Sequence, residues 1–545
     1  VSYILFKTNI ETGTALLNEM IVVSNVAALA PLFVAFTCIY AFVYGYLSKP
    51  SLRSIPGPAS FAITRYRLAL EAWKARSMQT VHKLHLQYGP VVRIGPNEVS
   101  FNSLSALRQI YGAGSGFERT VFYKMFDVYG RPNLFTFSSG KDHRERKKLI
   151  SHIYSNQVIL SPSISDLVQR KVADYLQMLE QEPGAASEIF SSLHYFSIDA
   201  ISEFVYGSVY GGTHAIARSS NDRRLLDDIL DHSRRRLSWF AVHFPTFTKW
   251  ITTRKGAVDR LITGLGLLPM KRPFTYTGIR NHALQAFFDA KAAPADERLK
   301  LAESTVIGRL MNVQKEQGLS DLDIASECAD HLLAGIDTTA DTLMFLIWTM
   351  SLPRHRRFQR KLQAELREVP ADDQGISTPK DLAHLPYLNA VIRETLRLYA
   401  PLPTFEPRVM PIDTVIDGYH IPANTVVGMS PYCLHREPTV FPDPLIFDPG
   451  RWLTREGDII SEADPKNRWF WAFSSGARMC IGMHLANAEM STLAAAIFRK
   501  YETTVRDSNA SPGITSRYEV FCDETMPRVL AHECWIDFVK ITPSA

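Results

Sequence analysis

Hydrophobic and polar positions alternate along most of this chain with the spacing of helices. Stretches 68–88, 164–182, 321–351, 354–369, 381–399 and 483–500 repeat apolar residues at intervals of three and four, which predicts helices with one buried face. Short β-branched runs at 91–94, 99–102, 414–416 and 425–429 predict strands, and Gly95-Pro96-Asn97-Glu98 joins the first two as a hairpin. Helices outnumber strands, and no repeat, low-complexity tract or second linker follows residue 59. The expected fold class is therefore mainly α with small β-sheets, in a single large domain over 59–545.

The pattern breaks at the amino end. Residues 20–48 carry no charge and exceed the ~20 residues a helix needs to cross a bilayer. Glu11 and Glu19 precede this stretch, while Lys49, Arg53, Arg65 and Arg67 follow it. The positive-inside rule then predicts a lumenal segment 1–19, a transmembrane anchor 20–48 and a cytosolic body. A cleaved signal peptide is the competing reading; the apolar stretch is too long for one. Segment 49–58, with Ile55-Pro56-Gly57-Pro58, is a stiff hinge, because proline fixes φ and cannot continue a helix.

Composition narrows the function by exclusion. The 545 residues are 46% hydrophobic and 21% charged, which suits a globular body with a large core. A net charge of +5 is too weak to argue for nucleic acid, and no nucleic-acid-binding motif occurs. Cysteines 38, 328, 433, 480, 522 and 534 lack paired spacing, so neither a disulfide framework nor a zinc site is expected. There is no C-x-x-C-H for covalent haem attachment.

One of those cysteines lies in a run of particular chemistry, Phe473-Ser474-Ser475-Gly476-Ala477-Arg478-Met479-Cys480-Ile481-Gly482. A lone cysteine is ordinarily a small buried hydrophobe. Here Gly476 and Gly482 are expected to turn the backbone with positive φ and let it approach a flat macrocycle. Arg478 can pair with a propionate and Phe473 can pack against a porphyrin. A cysteine thiolate bound to haem iron pushes electron density onto the metal and favours O–O cleavage. Upstream, Ala334-Gly335-Ile336-Asp337-Thr338-Thr339 interrupts a long helix with residues that suit a helix interior poorly. A threonine there bonds its own i−4 carbonyl and bends the helix. The alternatives are a plain kink, or a dioxygen groove in which Thr338 holds water and Asp337 relays protons.

The cysteine run resembles the haem-binding loop of the cytochrome P450 family, and residues 334–339 match that family's oxygen-binding motif at every position. The resemblance implies the cytochrome P450 fold, haem b with Cys480 as axial iron ligand, and catalytic roles for Asp337 and Thr338. It further implies an ionic triad of Glu394, Arg397 and Arg451 beneath the haem, although Gly450 stands where the family has an acidic or polar residue. His143 and Lys147 replace the family's Trp and Arg in a propionate-binding helix, and Arg408 falls where another propionate ligand is placed. Details of the chain look most like filamentous-fungal enzymes of secondary metabolism.

By resemblance the activity is monooxygenation of a lipophilic small molecule at the endoplasmic reticulum membrane. The chain has no flavin or nicotinamide domain, so electrons would come from NADPH through a diflavin reductase, with cytochrome b5 as a further donor. Basic clusters 141–148 and 354–361 are candidate docking surfaces for such a donor. Phe117, Phe122, Tyr123, Phe126 and Phe135, with Ala334 and residues 402–405 including Phe405, are expected to line the substrate cavity. The rivals are a reductase-independent haem-thiolate isomerase or dehydratase, and a non-catalytic membrane haem protein that would not need Asp337 and Thr338.

Overall fold

The computed structural model describes residues 31, 33–40 and 50–541, save for 183, 185, 233, 234, 254, 255, 265–276, 517 and 518. The span expected at 20–48 lies largely outside these residues. Within it, residues 33–40 are helical and carry exposed Phe33, Phe36 and Ile39. Among the described residues no helix is long and apolar enough to cross a membrane.

Helices build the body. Those that position the site are α1 (Ser77–Tyr88), α2 (Gly140–Ile150), α3 (Pro162–Gln181), α4 (Ile189–Tyr206), α5 (Asp321–Ser351), α6 (Arg356–Arg367), α7 (Pro386–Leu398) and α8 (Met483–Lys500). The central one is α5, which starts on a capping box between Ser320 and Asp323. Beyond Thr339 every residue of α5 is buried, so its second half is a core helix rather than an amphipathic one. It runs unbroken through Gly335-Ile336-Asp337-Thr338. Gly335 serves packing: a Cβ there would stand 2.5 Å from Cγ1 of Ile201, so glycine lets α4 cross α5 closely.

Two expected helices are divided. Stretch 68–88 splits into Tyr66–Trp73 and α1, because Ala75 takes a left-handed φ of 57° between them. Stretch 381–399 splits into Pro379–Leu382 and α7, with Pro386 opening α7 at a position where its missing N–H costs nothing.

The hairpin forms as expected from β1 (Val91–Gly95) and β2 (Glu98–Phe101). With β3 (Glu118–Arg119), β4 (Arg408–Val409) and β5 (Val426–Gly428) it makes one sheet of order β1-β2-β5-β4-β3. This sheet joins the chain near residue 100 to the chain near 410, and β3 pairs Arg119 with Arg408. Thr414–Ile416 pairs with Tyr419–Ile421 across Asp417 and Gly418, both at positive φ. Strands at Ala186–Glu188, Tyr501–Val505 and Trp535–Lys540 form a further sheet that the sequence pattern did not single out.

Buried neutral histidines tie these layers together and make the fold acid-sensitive. His435 donates from Nδ1 to the Arg397 carbonyl at 3.0 Å and accepts the Trp471 amide on Nε2 at 2.7 Å. Burial, aided by the Arg397 and Arg436 charges, pushes it down to about 3; burial likewise takes His85 and His355 to about 4. Unfolded histidine protonates near 6.5, so below that pH the unfolded chain binds more protons than the folded one. Stability is fully present above about pH 6.5 and falls toward pH 4, by up to about 1.4 kcal/mol per pH unit for each group. Urea midpoints followed by circular dichroism should drop as pH falls from about 6.5 toward 4.

Candidate active site

The run 473–482 folds as a tight loop before α8, closed by the Cys480 amide donating to the Phe473 carbonyl at 2.9 Å. Gly476 takes φ +64°, and a Cβ there would stand 2.1 Å from the Tyr111 carbonyl oxygen, so no side chain fits. Gly482 differs from the expectation. Its φ is −83°, which any residue can adopt, and a Cβ there would meet Cys480 Sγ and Tyr154 at 4.0 Å. The left-handed turn is supplied by Ser474 and Gly476 instead.

Cys480 is exposed at residue level and lines a cavity of about 270 Å³. Burial pushes its thiol up, while the amides of Gly482 and Met483 and the Lys147 ammonium pull the other way. A neighbouring cation at the sulfur would complete the shift to thiolate.

Ala334, Gly335 and Thr338 of α5 lie in the same cavity wall, as do Phe122, Phe126, Phe405 and Phe473. Thr338 donates its hydroxyl proton to the Ala334 carbonyl at 2.7 Å, which leaves its oxygen as an acceptor. Asp337 is not part of the wall. It faces α4, where His194 Nε2 lies 3.8 Å from Oδ1 of Asp337 and 3.8 Å from Oδ1 of Asp341. Burial and then the Asp337 charge raise the Asp341 carboxyl well above its ordinary range. Phe117 also falls outside the wall: it packs in the sheet core with Val427 and Trp471, because β3 turns it away from the cavity.

Cations gather at one side. Arg478 donates to the carbonyls of Ser138 and Ser139 at 3.0 and 3.1 Å, and its Nη1 is buried with no hydrogen-bond partner among the described residues. Lys147 reaches the carbonyls of Ala477 and Met479 at 3.0 and 3.4 Å. Arg408, just behind the wall, bonds Tyr123 Oη at 2.6 Å and Glu406 at 3.2 Å. Arg119, which sequence reasoning missed, joins them through its pairing with Arg408 and lies in the wall.

The charges strain one another. Burial, then Arg119 and Arg408, push Arg478 down to about 9, and burial takes Arg119 to about 10. His143 falls to about 2 through burial and the surrounding Arg478, Arg119, Lys147 and Arg408. Glu406 offsets Arg408, and the positive charge left over at Arg478, Arg119 and Lys147 suits an anion. Glu489 of α8 was also missed. It lies in the wall, and burial raises it to about 8 against a bond from Thr339, so it is a neutral acid at pH 7.

Below the loop, Glu394 is buried and fully engaged. Arg397 grips it with Nε and Nη2, both at 2.8 Å, and Arg451 Nε, Trp452 Nε1 and the Asp448 amide each donate to it at 2.9 Å. The expected triad is thus assembled geometrically, with Trp452 as a further member. His435 links it to the cysteine loop through Trp471.

The sequence model of cytochrome P450 matches residues 56–524. The chain belongs to the cytochrome P450 family. Its relatives include the cytochrome P450 monooxygenase aflV of Aspergillus parasiticus, 32% identical over 82% of this chain and 84% of that one. The cytochrome P450 monooxygenase stcB of Emericella nidulans is 31% identical over 82% of each chain. Pisatin demethylase of Fusarium vanettenii is 26% identical over 91% and 94%. The protein is accordingly a monooxygenase, and its family's cofactor is haem.

The residues present fit that group. A soft donor meets backbone amides in a cavity, and the orphaned Nη1 of Arg478 heads a cluster matched to two propionates. Arg478, Arg119, Arg408, Lys147 and neutral His143 are the side chains that would hold them.

Proposed function

We propose that Cys480 ligates the haem iron and that the enzyme hydroxylates or otherwise oxidises a lipophilic small molecule. The observation that carries this reading is the convergence of Cys480, Thr338 and an aromatic wall on one cavity beside a cationic cluster. Haem bound there supplies the activation of dioxygen. Thr338, its proton committed to Ala334, accepts a hydrogen bond from water in the cavity and holds it in place. Asp337 passes protons from the α4 side, where His194 and Asp341 adjoin it. Phe122, Phe126 and Phe405 exclude water and receive the substrate's apolar body.

The substrate class is a fungal secondary-metabolite intermediate, such as a terpenoid, polyketide or alkaloid. The apolar wall and the named relatives support it. Electrons come from NADPH through a membrane-bound diflavin reductase, with cytochrome b5 as a second donor. The protein sits on the cytosolic face of the endoplasmic reticulum. Exposed Phe247 and Trp250, beside exposed Tyr66 and Leu70, support membrane contact. These segments are joined by the Tyr66–Phe244 stack and the bond from Trp239 to Ala69.

A reduced carbon monoxide difference spectrum combined with reductase-dependent NADPH oxidation tests the reading. A thiolate-type spectrum with no oxygen consumption under any reductase would sink it in favour of a reductase-independent isomerase or dehydratase.

The docking surface is testable separately. Arg144 and Lys148 are exposed on α2, whose Lys147 touches the cysteine loop. Reversing both charges should lower the rate of reductase-driven turnover about tenfold at low salt and much less at high salt. Peroxide-driven turnover, which bypasses the reductase, should be unchanged.

A further inference from the structure

A buried polar chain beside the cavity has no part in the reaction described above. Arg146 Nη1 donates to Glu327 Oε2 at 2.6 Å, and the Leu134 amide donates to Oε1 at 3.0 Å. His331 Nε2 lies 3.3 Å from the same Oε1, and Tyr154 Oη lies 2.6 Å from His331 Nδ1. All four side chains are buried. The chain ends at the haem cavity, where Tyr154 and His331 are part of the wall. Cys480 Sγ and Tyr154 Cε1 each lie 4.0 Å from where a Cβ on Gly482 would stand, so they are at most twice that distance apart.

Charge fixes the protons. Burial raises the Glu327 carboxyl, but the hydrogen bond from His331, the Arg146 charge and the Leu134 amide hold the group below its ordinary range. Glu327 is thus a carboxylate that can only accept, so His331 carries its proton on Nε2. Its Nδ1 lone pair therefore faces Tyr154, and the phenol donates. Burial pushes that phenol well above its ordinary range, so Tyr154 does not release a proton by itself.

A phenol in this position gives up an electron most easily when its proton leaves in the same event. We propose that Tyr154 is a one-electron donor to the haem site when peroxide oxidises the haem without substrate being consumed. The Tyr154 O–H bond breaks. Its electron reduces the oxidised haem by one equivalent, and its proton forms an N–H bond at His331 Nδ1. The products are a neutral tyrosyl radical and an imidazolium whose charge the Glu327 carboxylate already faces. A thiol or ascorbate, as hydrogen-atom donor, restores the phenol after imidazolium returns its proton to solvent. The pair would drain oxidising equivalents that otherwise attack the porphyrin and protein.

The inference rests on haem occupying the cavity, and the test separates the two claims. Wild-type and Tyr154→Phe holoenzymes are compared by ferrous carbon monoxide spectrum, then mixed with m-chloroperoxybenzoic acid and freeze-quenched for electron paramagnetic resonance. Both should show the thiolate band. The wild type should show a tyrosyl radical that forms more slowly in D₂O, and Tyr154→Phe should lose that signal and bleach faster under peroxide. His331→Gln, which keeps the phenol but removes the base, should also lose most of the radical. If the thiolate band is absent from the wild type, the haem reading fails. If the band is present and the radical is absent, or survives in Tyr154→Phe, the assignment to Tyr154 is overturned. Should Tyr154→Phe not retain haem, a wild-type radical with full yield in His331→Gln and no solvent isotope effect overturns it equally.

Discussion

Replacing Cys480 with serine is expected to abolish reductase-driven monooxygenation while leaving the fold in place. Serine is close in size, and the loop closes through the Cys480 amide and the Phe473 carbonyl, which the substitution does not touch. The amides of Gly482 and Met483 that face the sulfur can equally serve a hydroxyl oxygen. The lost quality is electronic. A serine oxygen is a hard, weakly donating ligand and cannot push electron density through iron as thiolate does. NADPH-dependent product formation should fall by at least about 10³-fold, equivalent to roughly 4 kcal/mol of barrier. The ferrous carbon monoxide spectrum should lose its thiolate band, and the urea midpoint of the apoprotein should move by less than about 1 kcal/mol of stability. Product formation within tenfold of wild type would overturn the assignment of Cys480 as the axial ligand.

Much of this site was legible because its chemistry is local in sequence. The cysteine loop is ten contiguous residues, and the backbone limits at Gly476 are set by a turn within them. Thr338 was legible for the same reason, since its hydroxyl partner Ala334 lies one turn back on α5. Asp337 shows where local reading stops. The motif places it beside Thr338, but successive helix residues point about 100° apart. Only the packing of α4 brings His194 to its carboxylate rather than the cavity. Arg119 was hidden because β3 is two residues long and reaches the cavity only by pairing with β4, almost 300 positions later. Glu489 reads as one polar residue on an amphipathic helix; its upward shift follows from burial, which outweighs the bond from Thr339 and which no spacing encodes. The division of stretch 68–88 turns on one left-handed alanine, a conformation that propensity does not announce.

Replacing Glu394 with alanine should be the most damaging change outside the cavity, because several elements meet on one carboxylate. Arg397, Arg451, Trp452 and the Asp448 amide all donate to it, and both Glu394 and Arg397 have no exposed side-chain surface. Removing the carboxylate leaves the guanidinium of Arg397 buried and uncompensated, at a cost of about 3–5 kcal/mol. That is a large share of the roughly 5–15 kcal/mol that keeps a domain folded. Glutamine is no remedy, because its amide would turn a donor toward groups that are themselves donors. Arg451→Lys should cost only about 1–2 kcal/mol, since Arg397 still pairs with Glu394 while the bond from Arg451 to the Pro442 carbonyl is weakened. The consequence should reach the haem specifically. Arg397 bonds the His435 carbonyl at 3.0 Å, and His435 holds Trp471 at the mouth of the cysteine loop. Glu394→Ala should therefore lose the thiolate carbon monoxide band at urea concentrations where circular dichroism still reports helix. Ile536→Ala, a buried position in the carboxy-terminal sheet, supplies the comparison: it should cost about 2–5 kcal/mol and lose band and helix together. Coincident loss of band and helix in Glu394→Ala would mean that the triad supports the fold at large rather than the ground beneath Cys480.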